Sequence, residues 1–169
     1  MPRCRAMRAE ETDAAAALAQ RVYDAAIAPH ESPEGRASYA RYASPEAMRA
    51  RAANHAVTVA EEDDGALVGV LEVRDGTHVS MLFVDPRCQR AGVGRALLGH
   101  AFGAPEAWPA LTVNSTPGAV DAYERLGFVA EAPGEVVERN GIRFVPMCRA
   151  AGGAGGGAGG GADAAAVVP

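Results

Sequence analysis

Residues Leu82 to Phe102 read LFVDPRCQRAGVGRALLGHAF: an apolar run, then a basic, glycine-containing segment, then an alanine- and leucine-rich run. Hydropathy in that order reads as strand, loop and helix. Gly92 and Gly94 let backbone come close to a ligand and take φ values that other residues resist. A helix N-terminus adds unpaired N–H groups and the positive end of the helix dipole. With Arg87, Arg90 and Arg95 supplying charge, the combination suits a pyrophosphate or another polyanion. The plainer alternative is a basic connection that binds nothing. Two familiar phosphate loops are excluded: the chain contains no lysine for a G-x-x-x-x-G-K-[ST] loop, and Leu97 stands where G-x-G-x-x-G needs its third glycine.

The elements that must hold this loop follow from patterning. A first strand is expected over Arg3–Arg8, and a helix over the segment ETDAAAALAQRVYDAAIA, capped by Thr12 or Asp13 and ended by Pro29. The next segment, up to His55, is polar and interrupted by Pro33, Gly35 and Pro45. Only Pro45–Ala53 reads as a helix there, with Ser44 and Pro45 as its N-cap and first residue. Three strands follow, HAVTVAEE, ALVGVLEVRD and THVSMLFVD, with Asp75-Gly76 marking a tight hairpin. A helix over Gly94–Phe102, a short strand ALTVN, a helix from near Thr116 to Leu126 and a last strand pair turning at Asn140-Gly141 complete the domain near Ala150. The segment 151–169 is glycine and alanine throughout most of its length, which predicts a disordered tail.

Composition limits the function. A chain of 169 residues supports one domain with a sizeable core. A net charge of −5 argues against a generic nucleic-acid binder. Cys4, Cys88 and Cys148 are odd in number and lack CxxC spacing, and no histidine pair has ligand spacing, so neither a disulfide framework nor a metal site is expected. The charged N-terminus is unlike a signal peptide, and no stretch approaches the roughly eighteen apolar residues of a membrane span. A cytoplasmic protein with no membrane partner is the expectation.

Gln89-Arg90-Ala91-Gly92-Val93-Gly94, preceded by LFVDP and followed by RALL, resembles the Q/R-x-x-G-x-G/A signature of the GCN5-related N-acetyltransferases. LTVNSTPGAVDAYERLGF is similar to that family's second segment, and the order of elements agrees from Arg3 to about Arg149. The resemblance implies an α/β fold whose mixed, mostly antiparallel sheet splays open at two parallel strands and is flanked by helices. It implies acetyl-CoA as co-substrate and direct transfer of the acetyl group to an amine of a small molecule or peptide. The backbone of Leu82, Phe83 and Val84 would pair with the pantetheine arm, and the amides from Arg90 to Arg95 would hold the pyrophosphate. A homodimer is open.

For catalysis, Tyr123 occupies the family's position for the acid that protonates the leaving thiolate. The general base has two candidates. His78 stands eleven residues ahead of Gln89, where several members carry a carboxylate, and Glu72 lies across the Asp75-Gly76 turn. A water relay is the remaining possibility. The sequence departs from the family where the tyrosine-bearing helix starts, since Thr116-Pro117-Gly118 replaces the usual asparagine and Asn114 comes earlier. Asn114 is therefore either a substitute ligand for the cofactor or a turn residue. That departure keeps a second function in view, a catalytically weak CoA-binding module, beside transfer of another acyl group. His30 and Glu31 either shape the acceptor pocket or are solvated loop residues. Cys88 is either an oxidation-sensitive thiol or a small loop residue.

Overall fold

The computed structural model describes residues 1–134, 136–152 and 166–167. From the N-terminus, β1 (Arg3–Ala6) leads into α1 (Thr12–Ala26), α2 (Pro33–Tyr42) and α3 (Pro45–Ala52). Then come β2 (Ala56–Glu61), β3 (Leu67–Arg74), β4 (His78–Val84), α4 (Val93–Phe102) and β5 (Leu111–Ser115). The chain continues through α5 (Val120–Arg125), β6 (Val129–Ala130), β7 (Val137–Arg139), β8 (Ile142–Arg149) and β9 (Ala166–Val167).

Read from sequence as a polar connection, Pro33–Tyr42 is a helix. Ser32 caps it by accepting the Gly35 amide at 3.0 Å, as Ser44 caps α3 through the Ala47 amide at 3.2 Å. Both helices begin Ser-Pro-Glu. Proline at the first helical position loses no hydrogen bond, so Pro33 starts a helix and does not break one.

The sheet runs β1-β2-β3-β4-β5-β8-β6, all antiparallel neighbours except the β4–β5 pair, with β7 on β8 and β9 between β4 and β5. Both predicted hairpins form. Asp75 and Gly76 (φ 52° and 73°) and Asn140 and Gly141 (φ 53° and 77°) are each left-handed at both central residues, as a two-residue turn matched to strand twist requires. In β4 the register against β3 slips at Ser80: Val79 faces Val73 while Met81 faces Glu72. The extra residue re-aims the side chains beyond it. Val79, Leu82 and Val84 pack on one face with α4 and α5, while Met81 and Phe83 pack on the other with α1, α2 and α3.

Leu18, Val22 and Tyr23 of α1 are buried on that second face, each apolar side chain contributing roughly 1.5–3 kcal/mol. Tyr23 stacks flat on Tyr39, ring centroids 3.6 Å apart, which locks α1 to α2. Of the expected tail, Ala166–Val167 form β9, and residues 153–165 and 168–169 lie outside the described residues.

Candidate active site

Parallel pairing between β4 and β5 is confined to His78 with Thr112 and Val79 with Val113. Beyond those residues the strands diverge. Met81 and Leu82 on one side and Ser115 on the other instead pair with the extended backbone of β9. The inner edges of the opening thus offer main-chain hydrogen bonds to an extended group. Leu82, Phe83 and Val84 border this opening and are held on their other edge by Leu71, Val70 and Gly69 of β3.

At the wide end, the loop turns through Arg90 and Gly92, both left-handed (φ 61° and 82°). Gly92 is the N-cap of α4 and gives no side-chain cap. The first intrahelical bond runs from the Ala96 amide to the Gly92 carbonyl (3.0 Å), so the amides of Val93, Gly94 and Arg95 have no intrahelical acceptor. Gln89 folds back and donates to the Val84 carbonyl (3.2 Å), tying the loop to the end of β4. Ala91 is exposed at the crest of the turn.

Arg87, expected to add positive charge, points the other way. Its guanidinium grips both oxygens of the buried Asp85 (3.0 and 3.1 Å), which holds that carboxyl below its ordinary range. The cationic groups left to the loop are Arg90 and Arg95, which make no ion pair among the described residues. The Cys88 thiol is pushed up by burial and by Glu62, the opposite of a reactive thiolate.

The three catalytic candidates have very different surroundings. Tyr123 is fully buried, its ring edge-on to Phe128 at 5.3 Å, and its hydroxyl has no hydrogen-bond partner. Burial drives this phenol well above its usual value, so it stays protonated. His78 sits at the closed end of the splay, Nδ1 2.8 Å from Thr112 Oγ1 and Nε2 buried without a partner. Burial and the Arg74 charge lower its pKa, so the ring is neutral near pH 7.

Glu72 is engaged on both oxygens. Arg51 binds it in bidentate fashion (2.8 and 3.1 Å) and His55 Nδ1 lies 2.6 Å from Oε1. The Arg51 guanidinium in turn stacks on the Tyr42 ring at 3.8 Å and donates to the Tyr42 carbonyl. A carboxylate so enclosed, buried and held on both oxygens, braces α3 against the sheet. Asn114 is a strand residue of β5, half-buried beside the opening, and shares its face with Thr112.

A sequence model of the acetyltransferase (GNAT) domain matches residues 27–150. The chain belongs to the GNAT family. No curated protein matches it. Its fold aligns with a GCN5-related N-acetyltransferase from Rhodopseudomonas palustris at TM-score 0.72 and 20% identity, over 89% of this chain and 96% of that one. It aligns with apo YjaB from Escherichia coli at TM-score 0.65 and 26% identity, over 89% and 99% of the two chains. A PaiA N-acetyltransferase from Thermoplasma acidophilum, solved in complex with coenzyme A, matches at TM-score 0.65 and 18% identity, over 89% and 99%. The GNAT domain supports acyl transfer in general.

A cavity of about 490 Å³ lies where the chain leaves β4 and β5. One wall is Gln89 and Thr116–Ala119; the other is Ile27, His30 and Glu31 from the end of α1 and the turn after it, with Arg143 of β8. Glu31 is only 9% exposed, so the solvated-loop reading of that residue does not hold. Sequence reasoning missed Arg143 and the burial of Glu31 because their segments lie more than a hundred residues apart. The available signal was the first Ser-Pro-Glu helix start, Ser32-Pro33-Glu34, which places Glu31 against the first turn of α2. Among the described residues no cluster of three His, Cys, Asp or Glu side chains is arranged to hold a metal ion, and no helix is long and apolar enough to cross a membrane.

Proposed function

We propose that this protein transfers the acetyl group of acetyl-CoA directly to an amine. The observation that carries the reading is the splay: two parallel strands paired at two positions and then parted, with an extended backbone, β9, lying between them and the uncapped N-terminus of α4 at the mouth. Acetyl-CoA, when bound, supplies an activated thioester. The residues present fit it. The Tyr123 hydroxyl and the His78 Nε2 are buried without a partner, and buried polar atoms of that kind call for one.

In this reading the pantetheine arm takes the place of β9 and pairs with the backbone of Leu82, Phe83 and Val84 as an added strand would. The amides and left-handed turn from Arg90 to Arg95 hold the pyrophosphate, with Arg90 and Arg95 balancing its charge. Asn114 lies on the β5 side of the arm. Tyr123, kept protonated by burial, donates its proton to the leaving sulfur. His78, neutral with Nε2 free, accepts the proton of the attacking amine. Glu72 positions the layer behind them through Arg51 and takes no proton.

Calorimetry with CoA and thiol release from acetyl-CoA over an amine panel test the proposal. Micromolar CoA binding with amine-dependent thiol release is the expected result. Absence of CoA binding would overturn it. Saturable CoA binding with no release from any amine would favour a binding module, and faster turnover of longer acyl-CoAs would change the donor.

A further inference from the structure

The acceptor wall of the cavity carries an unusual pair of charges. The Glu31 carboxylate is nine-tenths buried, and its Oε2 has no hydrogen-bond partner. Burial raises its pKa, Glu138 adds to that, and the guanidinium and backbone amide of Arg143 with nearby His30 oppose it. Arg143 is on the same cavity, yet the two make no ion pair within 4 Å and neither has another ion-pair partner among the described residues. A carboxylate this deep, with Arg143 near but in no direct ion pair, is costly, and a bound cation would reduce the cost.

The position of Glu31 is fixed by backbone. A Cβ at Gly35 would lie 2.6 Å from Glu31 Oε2 and 2.4 Å from the Gly141 carbonyl, and a Cβ at Gly141 would lie 2.5 Å from the Gly35 amide nitrogen. The first turn of α2 and the tip of the β7–β8 hairpin thus meet as bare main chain, with the carboxylate wedged at the junction. Capping does not account for it, since the Gly35 amide is already taken by Ser32.

We propose that this cavity is the acceptor subsite for a small amine that also bears an anionic group, its ammonium docked on Glu31 and its anion on Arg143. Two opposite charges facing one cavity without a direct ion pair between them are complementary to a dipolar molecule. A guanidinium fork suits a carboxylate or phosphate in bidentate geometry. A volume of about 490 Å³, shared with the end of the cofactor arm, limits the ligand to small-molecule size. Gln89 and Thr116–Ala119 on the opposite wall place the docked amine beside the cofactor opening. The inference rests on the acetyl-transfer reading and names its acceptor class.

The test uses the full chain, the proteinogenic amino acids, β-alanine and γ-aminobutyrate, each beside its methyl ester, and ethylamine as a simple amine. Binding is measured by calorimetry with and without CoA, and turnover by thiol release. The expected result is that at least one free amino acid binds and is acetylated, with its ester about tenfold or more weaker. Glu31→Gln should raise KM for that amino acid by about ten- to a hundredfold while the CoA Kd stays within about twofold. Arg143→Gln should raise KM for the acid and leave KM for the ester unchanged. Equal handling of acid and ester by the wild type, unchanged KM in both variants, or no amino acid binding at all would overturn the proposal. Should Glu31→Gln fail to fold, the acid–ester comparison on wild type and on Arg143→Gln decides. Loss of CoA binding in the wild type would defeat the acetyl-transfer reading instead, and amino-acid binding to the CoA-free chain would still read the subsite.

Discussion

The two sides of the cleft are built by different means. The donor side is main chain: the diverging edges of β4 and β5, a left-handed turn at Arg90 and Gly92, and the free amides of α4. The acceptor side is side chains, brought from α1, the start of α2 and β8 into one wall. Backbone recognition needs particular residue types in one short stretch, because only certain residues permit the turn. Side-chain recognition needs only that distant segments meet. Among the described residues the orphaned buried polar atoms divide the same way. Tyr123 Oη lies in the core layer of α4 and α5 and His78 Nε2 at the closed end of the splay, while Tyr23 Oη, Tyr39 Oη and Glu31 Oε2 belong to the α1–α2 side.

If the donor side is backbone recognition, a substitution at its turn has the largest effect. Gly92→Glu should abolish CoA binding, a loss of at least about a hundredfold in calorimetry, because a carboxylate would stand where the anion binds. Gly92→Ala separates charge from strain. A Cβ there meets only Met1 Cε at 3.7 Å, so its expected cost is about 1 kcal/mol of stability from the left-handed φ, with CoA binding retained. Weakening of equal size in both variants would mean that the turn's shape, and not an anion contact, is at stake.

Next comes the brace behind the acceptor side. Glu72→Ala leaves Arg51 and His55 facing a void at a buried site, and should cost about 3–5 kcal/mol in urea denaturation. A variant that folds with wild-type stability and loses turnover would return Glu72 to the chemistry.

These contrasts explain what was legible in the sequence. The hairpins at Asp75-Gly76 and Asn140-Gly141, the strand–loop–helix around Gly92 and the fold class were readable because each depends on local residue types. The helix Pro33–Tyr42 was not, because Pro33 and Gly35 read as breakers although Ser32 and Pro33 form a start signal. The surroundings of Glu72 were unreadable for a different reason. Strand pairing puts it opposite Met81, but only the packing of α3 brings Arg51 onto it. The slip at Ser80 hides a further fact, since strict alternation along β4 would assign Met81 to the face of Val79.

Tyr123→Phe tests the donor side more finely. Turnover should fall by roughly a hundredfold, within the usual range for a positioned acid, while CoA affinity changes by less than about twofold. Because the Tyr123 hydroxyl is buried without a partner, its removal should leave thermal stability unchanged or raised. A merely packed tyrosine would show neither the fall in kcat nor the split between kcat and affinity. Unchanged turnover would remove Tyr123 from the mechanism.

The smallest expected effect concerns the protonation of His78, at the closed end of the splay. Its pKa is held below the ordinary 6.5 by burial, so between 6.5 and the folded value the unfolded chain binds the proton and the folded one does not. Stability should therefore be at its full value above about pH 6.5 and decline as the pH falls through the folded pKa. Alanine at 78 should flatten that part of the profile. The acid limb of kcat/KM should lie in the same window, below 6.5, and should vanish in His78→Ala. The base role further requires Nδ1–H to donate to Thr112 Oγ1, leaving the lone pair on Nε2. Thr112→Val removes that acceptor and releases the tautomer, so a fall in kcat of a few-fold with an unshifted CoA Kd is expected. A Thr112→Val enzyme with wild-type kcat at every pH would show that the tautomer is not held by this bond, and a persistent acid limb in His78→Ala would hand the base to water.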